Sequence, residues 1–200
     1  LRLGAQMREV LRDRGFLLLL LAGFLGFGAH VSYDICFSLH LKGLGLGSDK
    51  VGVVWAIGML AEVGLMAVSG RLLARVPARV LLVIAFATGA ARWVLIALVE
   101  DVAVLLAFQP LHAVTFALFW VTSLDQVKAR APGEVLATAQ GVFNAAVGGG
   151  AVVGMFVWGG LFEVYGGRTT FLVAACAAAC AAVAASGIGR PARAPQAEVV

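Results

Sequence analysis

Asp34, Glu62, Arg92 and His112 fall one each in four successive stretches that are otherwise almost wholly apolar. A charge placed in hydrocarbon costs about 2.5–3.5 kcal/mol on insertion scales, so such side chains face a bundle interior or a water-filled cavity and pair there. Two carboxylates and an imidazole exchange protons, while a guanidinium keeps its charge and grips a carboxylate in a bidentate fork. On buried helices this set is expected of a solute pathway and not of an active site. No Ser-His-Asp arrangement, phosphate-cradling loop or metal-ligand spacing accompanies it, so the chain is read as a non-enzyme with no cofactor or metal.

The neighbours of these groups follow helical spacing. His30, Tyr33, Asp34 and Phe37 stand at i, i+3, i+4 and i+7 and share a face. Asp34 either opens into the pathway or makes a structural ion pair with Arg92. Trp55, Met59, Glu62, Met66 and Ser69 repeat likewise, with Glu62 mid-segment, where so short a side chain cannot snorkel to water. Arg92 has Glu62 or Asp34 as its expected partner, the alternative being that it snorkels towards the interface near Glu100. His112 shares a face with Gln109, Phe116 and Phe119. Gln140 and Asn144, one turn apart, either hydrogen-bond a polar solute or join helices, and Tyr33, Trp55 and Trp120 offer rings to stack on. Gly150 and Gly154 form a small-xxx-small pair that lets helices approach closely.

The elements that must position these residues are set by composition. Of 200 residues 62% are hydrophobic and 13% charged, with mean hydropathy +0.98, where a soluble domain carries about 25% charged residues. The net charge of +4 is dispersed at segment ends and forms no nucleic-acid-binding patch. Six apolar segments, residues 16–41, 51–73, 80–99, 102–124, 135–162 and 170–187, match the roughly 20 helical residues needed to cross a bilayer. An all-α integral membrane fold follows, because lipid offers backbone groups no other partner. Residues 43–49, Pro77, Glu100 with Asp101, Pro132 and Gly166 with Gly167 mark the breaks. Placing both termini in the cytoplasm puts Arg2, Arg8, Arg12, Arg14, Arg71, Arg75, Arg79, Lys128, Arg130, Arg190 and Arg193 inside, against Lys42, Lys50 and Arg168 outside. Residues 1–15 read as a basic cytoplasmic linker, 16–187 as the transmembrane unit and 188–200 as a disordered cytoplasmic tail. Cys36, Cys176 and Cys180 are expected to pack in the core.

Four stretches taken in order carry a resemblance: VGVVWAIGMLAEVGLMAVSGRLLARVPARVLL (51–82), AARWVLIAL (90–98), QPLHAVTFALFW (109–120) and ATAQGVFNAAVGGG (137–150). Together they resemble the carboxy-terminal six-helix half of a major facilitator superfamily transporter, in the branch of phenylpropionate permeases related to lactose permease and nucleoside proton symporters. The resemblance implies half of a twelve-helix bundle made of two inverted three-helix repeats, with an amino-terminal half in cis upstream. It also implies alternating-access proton symport of a small organic solute, such as an aromatic acid, sugar or nucleoside, across the bacterial inner membrane. An exporter of drugs or metabolites and a non-transporting truncated module are the other readings. Asp34, Glu62, Arg92 and His112 then form a proton-coupling charge network, with His30, Tyr33, Trp55, Trp120, Gln140 and Asn144 around the solute. Lactose permease also carries an important carboxylate on its second helix of this half, which singles out Glu62. It has a further carboxylate one turn after its histidine, where this chain has Thr115, so coupling rests on Glu62 or Asp34. Arg71, Arg75 and Arg79 resemble the superfamily's cytoplasmic loop motif, with Asp125 or Glu134 as candidate acidic partners.

Overall fold

The computed structural model describes residues 2–190, and its described residues are helices joined by short turns. The tail reading for 188–200 therefore lies mostly outside the described residues, as does Arg193. The basic linker is itself a helix, α1 (Arg2–Arg12), with Val10 buried and Arg8 and Arg12 exposed. Asp13 ends it and starts α2 (Arg14–Gly43) by accepting a hydrogen bond from the Gly15 amide at 2.6 Å. Gly45, at φ 91°, makes the turn into α3 (Ser48–Arg75), a conformation that a side chain resists. Pro77 separates α3 from α4 (Ala78–Leu98), and the Asp101 carboxylate caps α5 (Val102–Ala107) through the Ala103 amide at 2.8 Å.

The stretch 102–124, expected as one span, is divided. After α5 the chain turns at Phe108–Pro110, where Pro110 has no amide to offer the helix, and restarts as α6 (Leu111–Ala113). It then widens into a π-helical turn (Val114–Leu118) before α7 (Phe119–Arg130). Such π-turns cluster at functional sites. The segments 135–162 and 170–187 are the two arms of α8 (Leu136–Ser186), which is interrupted at Gly166 by φ 75° and ψ 177°. Among the described residues four helices are long and apolar enough to cross a membrane: Arg14–Gly43, Ser48–Arg75, Ala78–Leu98 and the run Gly133–Ser186.

The core forms two aromatic-rich clusters along the bundle. One gathers Phe16, Leu82, Phe86, Phe119, Phe143 and Ala185 near the ends of the chain, and the other Tyr33, Phe37, Leu41, Trp93, Trp158 and Phe171. Of the cysteines only Cys36 joins the core; Cys176 and Cys180 face outward, because on the second arm of α8 the inward stripe is Ala174, Ala178 and Ala181.

The α2–α8 contact is set by glycine. A Cβ on Gly150 would collide with the Phe24 carbonyl, one on Gly154 would stand 2.6 Å from the Gly28 oxygen, and one on Gly28 would lie 3.0 Å from the Gly150 oxygen. The Trp158 indole N–H donates to that same Gly28 oxygen at 2.6 Å, locking the register. Gly150→Leu is therefore expected to destabilise the protein by about 1–3 kcal/mol through overpacking. Gly148→Ala, where the added carbon meets open space, should leave the thermal unfolding midpoint in detergent unchanged or higher. Equal midpoints for Gly150→Leu and the parent would refute this packing.

Candidate functional site

Arg92 projects from the middle of α4 and is 2% exposed. One guanidinium nitrogen, Nη2, donates to Gln109 Oε1 at 2.9 Å; the other, Nη1, lies 3.4 Å from Thr115 Oγ1 and 3.3 Å from His112 Nδ1. Its carbon stands 4.2 Å from the centroid of the Tyr33 ring, a cation–π contact. The Tyr33 hydroxyl donates to the same Gln109 oxygen at 3.0 Å, so one amide joins α2 to α4. Gln109 is itself held by its NH₂ group, which donates to the Leu105 carbonyl at 3.3 Å.

These contacts correct the expected partners of Arg92. Among the described residues neither Glu62 nor Asp34 comes within ion-pair distance of it, and the guanidinium does not snorkel outward. Glu62 instead meets His112, with Oε1 2.7 Å from Nε2. The tautomer follows from donors and acceptors. An arginine N–H can only donate, so Nδ1 must carry the lone pair, and Nε2 must carry the proton it gives to Glu62. A neutral imidazole thus connects a guanidinium to a carboxylate. The α3 backbone reaches the ring because Gly58, one turn before Glu62, packs against it; a Cβ there would stand 3.2 Å from His112 Cδ2.

His30 and Asp34 line the same region less tightly. His30 is buried, with its ring 5.2 Å from that of His112, and its Nε2 has no hydrogen-bond partner among the described residues. At 3.8 Å from Asp34 Oδ1 it is too far for a hydrogen bond. The Asp34 side chain is 41% exposed and points away from the core. Trp55 packs tilted against Tyr33, with ring centroids 4.7 Å apart, and donates its indole N–H to Ser38 at 3.0 Å. Trp120 sits further along, edge-on to Phe27 at 5.6 Å, and Phe27 in turn stacks on His30 at 5.9 Å. Gln140 is half-buried and Asn144 exposed, and neither bonds to the Arg92 cluster.

Gln109 and Thr115, two of Arg92's hydrogen-bond partners, are missing from the sequence-derived site, as are Phe27 and Phe116, whose rings pack on His30. The signal was an isolated amide beside Pro110 in an apolar run, three residues before His112. At the basic end, Arg71, Arg75 and Arg79 are exposed and make no ion pair with Asp125 or Glu134 among the described residues. The tie there runs instead from Arg130, 3.7 Å from Asp13 and 2.6 Å from the Gly189 carbonyl.

Long apolar helices surrounding a buried guanidinium–imidazole–carboxylate chain define a polytopic membrane protein with a polar centre. Comparison with known proteins gives the family. The model described as "MFS_1 like family" matches residues 3–173, and the chain belongs to this family, the phenylpropionate-like branch of the major facilitator permeases. Over 151 residues it is 31% identical to the "Probable 3-phenylpropionic acid transporter" of Escherichia coli (strain K12), covering 76% of this chain and 40% of that protein. Over 143 residues it is 25% identical to the "Uncharacterized transporter YwbF" of Bacillus subtilis (strain 168), covering 72% of this chain and 36% of the relative. The matched stretch thus covers well under half the length of these relatives, both of which are named as transporters.

The tautomer is directly measurable. In ¹⁵N-histidine spectra at neutral pH, His112 should show a protonated Nε2 and an unprotonated Nδ1, with His112→Gln supplying the assignment. A ring protonated at both nitrogens would contradict the Arg92 contact.

Proposed function

We propose that this chain is the carboxy-terminal half of a twelve-helix transporter that moves an aromatic carboxylate together with a proton by alternating access. The observation that carries this reading is Arg92, a buried cation held by neutral partners and an aromatic face. A solute carboxylate satisfies such a guanidinium through a charge-assisted bidentate bond, and the tilted pair Tyr33 and Trp55 beside it receives the ring of the solute. The name of the Escherichia coli relative points to the same chemistry.

Charge balance supplies the coupling. With the pathway empty, the Glu62 carboxylate balances Arg92 across His112. A solute carboxylate that arrives at Arg92 adds a negative charge, and in a low-dielectric cavity this is tolerable only if a carboxylate takes up a proton. Glu62 is assigned that proton, so anion and proton enter together. Asp34, with its exposed side chain, is the entry site, and the unpartnered His30 nitrogen offers the solute a further polar contact. Trp120, Gln140 and Asn144 complete the wall once the other half is in place.

In this reading residues 1–15 are the linker between halves, residues 16–187 form two inverted three-helix repeats, and 188–200 are a cytoplasmic tail. The arms of α8 are the fifth and sixth spans, and both termini face the cytoplasm at the bacterial inner membrane. Arg71, Arg75 and Arg79 serve as the cytoplasmic loop motif. An amino-terminal half in cis covers the outward side of α3, on which Met59, Leu60 and Val63 are exposed.

The full-length transporter carrying Glu62→Gln should reach the membrane in normal amount yet lose pH-dependent accumulation of labelled 3-phenylpropionate. Unchanged accumulation would remove Glu62 from coupling. Arg92→Lys should weaken solute affinity by about tenfold or more, since a charge-assisted hydrogen bond contributes about 1.5–3 kcal/mol and lysine cannot reproduce the fork. Parent-like affinity in that variant would place the carboxylate elsewhere.

A further inference from the structure

We propose that the basic end of this half holds an anionic phospholipid, its phosphate seated between α4, α7 and the chain after α8 and one acyl chain running up the outside of α4. The head-group site is a hollow of about 490 Å³ lined by the first turn of α4 and by Arg79, Gln126 and Arg190. Neither arginine ion-pairs with a carboxylate among the described residues, so their charge is available to a ligand. The amides of Ala78 and Arg79 open the 21-residue α4, and its first backbone donors to a carbonyl are Val80 and Leu81. Ala78 and Arg79 both line the hollow, where the positive pole of the helix favours an anion.

An independent observation marks the hollow as a binding site. Gln126 is only 7% exposed and has no hydrogen-bond partner among the described residues, yet it lines the hollow. Its amide atoms are not among the fully buried ones, so the side chain, otherwise enclosed, opens its polar end to the hollow, where a phosphate oxygen offers its NH₂ group an acceptor. The remaining question is whether the phosphate is free or carried by a lipid. Arg79 and Val80 also line a second groove of about 380 Å³, which continues along α4 past Val83 and Ile84 to the end of α8. A basic hollow that opens into an apolar groove on the side of a spanning helix where Val80 and Ile84 are exposed fits a head group with its chain attached, where a free anion would use only the hollow.

The test is native mass spectrometry of the purified full-length protein with phosphatidylglycerol or phosphatidylcholine of equal chain length, alongside titration with inorganic phosphate. Phosphatidylglycerol should be retained in preference to phosphatidylcholine. The Arg79→Gln/Arg190→Gln variant should lose roughly thirtyfold in affinity for it, since each basic side chain contributes a factor of about five at an anionic surface. Gln126→Leu, an apolar replacement that suits its buried setting, should weaken the same preference. Ile84→Trp, which fills the groove, should expel the lipid while leaving the binding of inorganic phosphate untouched. Undiminished phosphatidylglycerol binding in the folded double-arginine variant would overturn the site. Phosphate binding combined with lipid binding that ignores Ile84→Trp would overturn the lipid assignment in favour of a free anion.

Discussion

One buried charge organises the bundle. A guanidinium in a membrane interior must be surrounded by acceptors, and the structure supplies them from Gln109, His112 and Thr115, with the Tyr33 ring closing one face. Those groups come from α2 and from the broken helix between α5 and the π-turn, so α4 cannot shift without stripping Arg92 of partners. Removing one partner of a buried charge is strongly destabilising, because the remaining charge has no water to turn to. The polar centre therefore fixes helix register as firmly as the apolar clusters on either side of it.

The apolar packing has a different logic. Between α2 and α8 the helices touch backbone to backbone at Gly28, Gly150 and Gly154, and the Trp158 indole reaches across to a carbonyl. Van der Waals contact at this distance replaces the hydrophobic effect, which gives helices no drive to associate when lipid is as apolar as they are. The second arm of α8 uses alanine in the same way, presenting Ala174, Ala178, Ala181 and Ala185 inward. Small residues pack, and the polar centre sets where along the helices they do so.

The helices and most of their boundaries were legible in the sequence because their signals are local. Pro77, Asp101, Gly45 and Gly166 each act through their own backbone or cap, and each marks an element end or kink in the structure. Pro110 carried an equally local signal, and the break beside it was hidden only by the apolar residues on both sides. Family membership was legible too, through the ordered set of polar residues on successive segments. The pairing inside the site was not. Whether Arg92 meets a carboxylate directly or through His112 depends on how far each helix is rotated about its axis, and helical spacing within one segment says nothing of that rotation relative to its neighbours. The outward turn of Cys176 and Cys180 and the tie between Arg130 and Asp13 were out of reach for the same reason.

Helix α3 stands apart from this rigidity. Among its 28 residues only Val54 and Gly58 are buried, and it is held to the rest of the chain by Gly58 and Glu62 at the His112 ring, by Trp55 at Tyr33 and Ser38, and by Leu65, Leu72 and Leu73 against the first apolar cluster. The Glu62–His112 hydrogen bond is thus one of the few polar ties between α3 and the bundle. A change of charge at that imidazole–carboxylate contact would act on a helix with little buried surface of its own, so an event of atomic size would bear on an element that runs from Ser48 to Arg75.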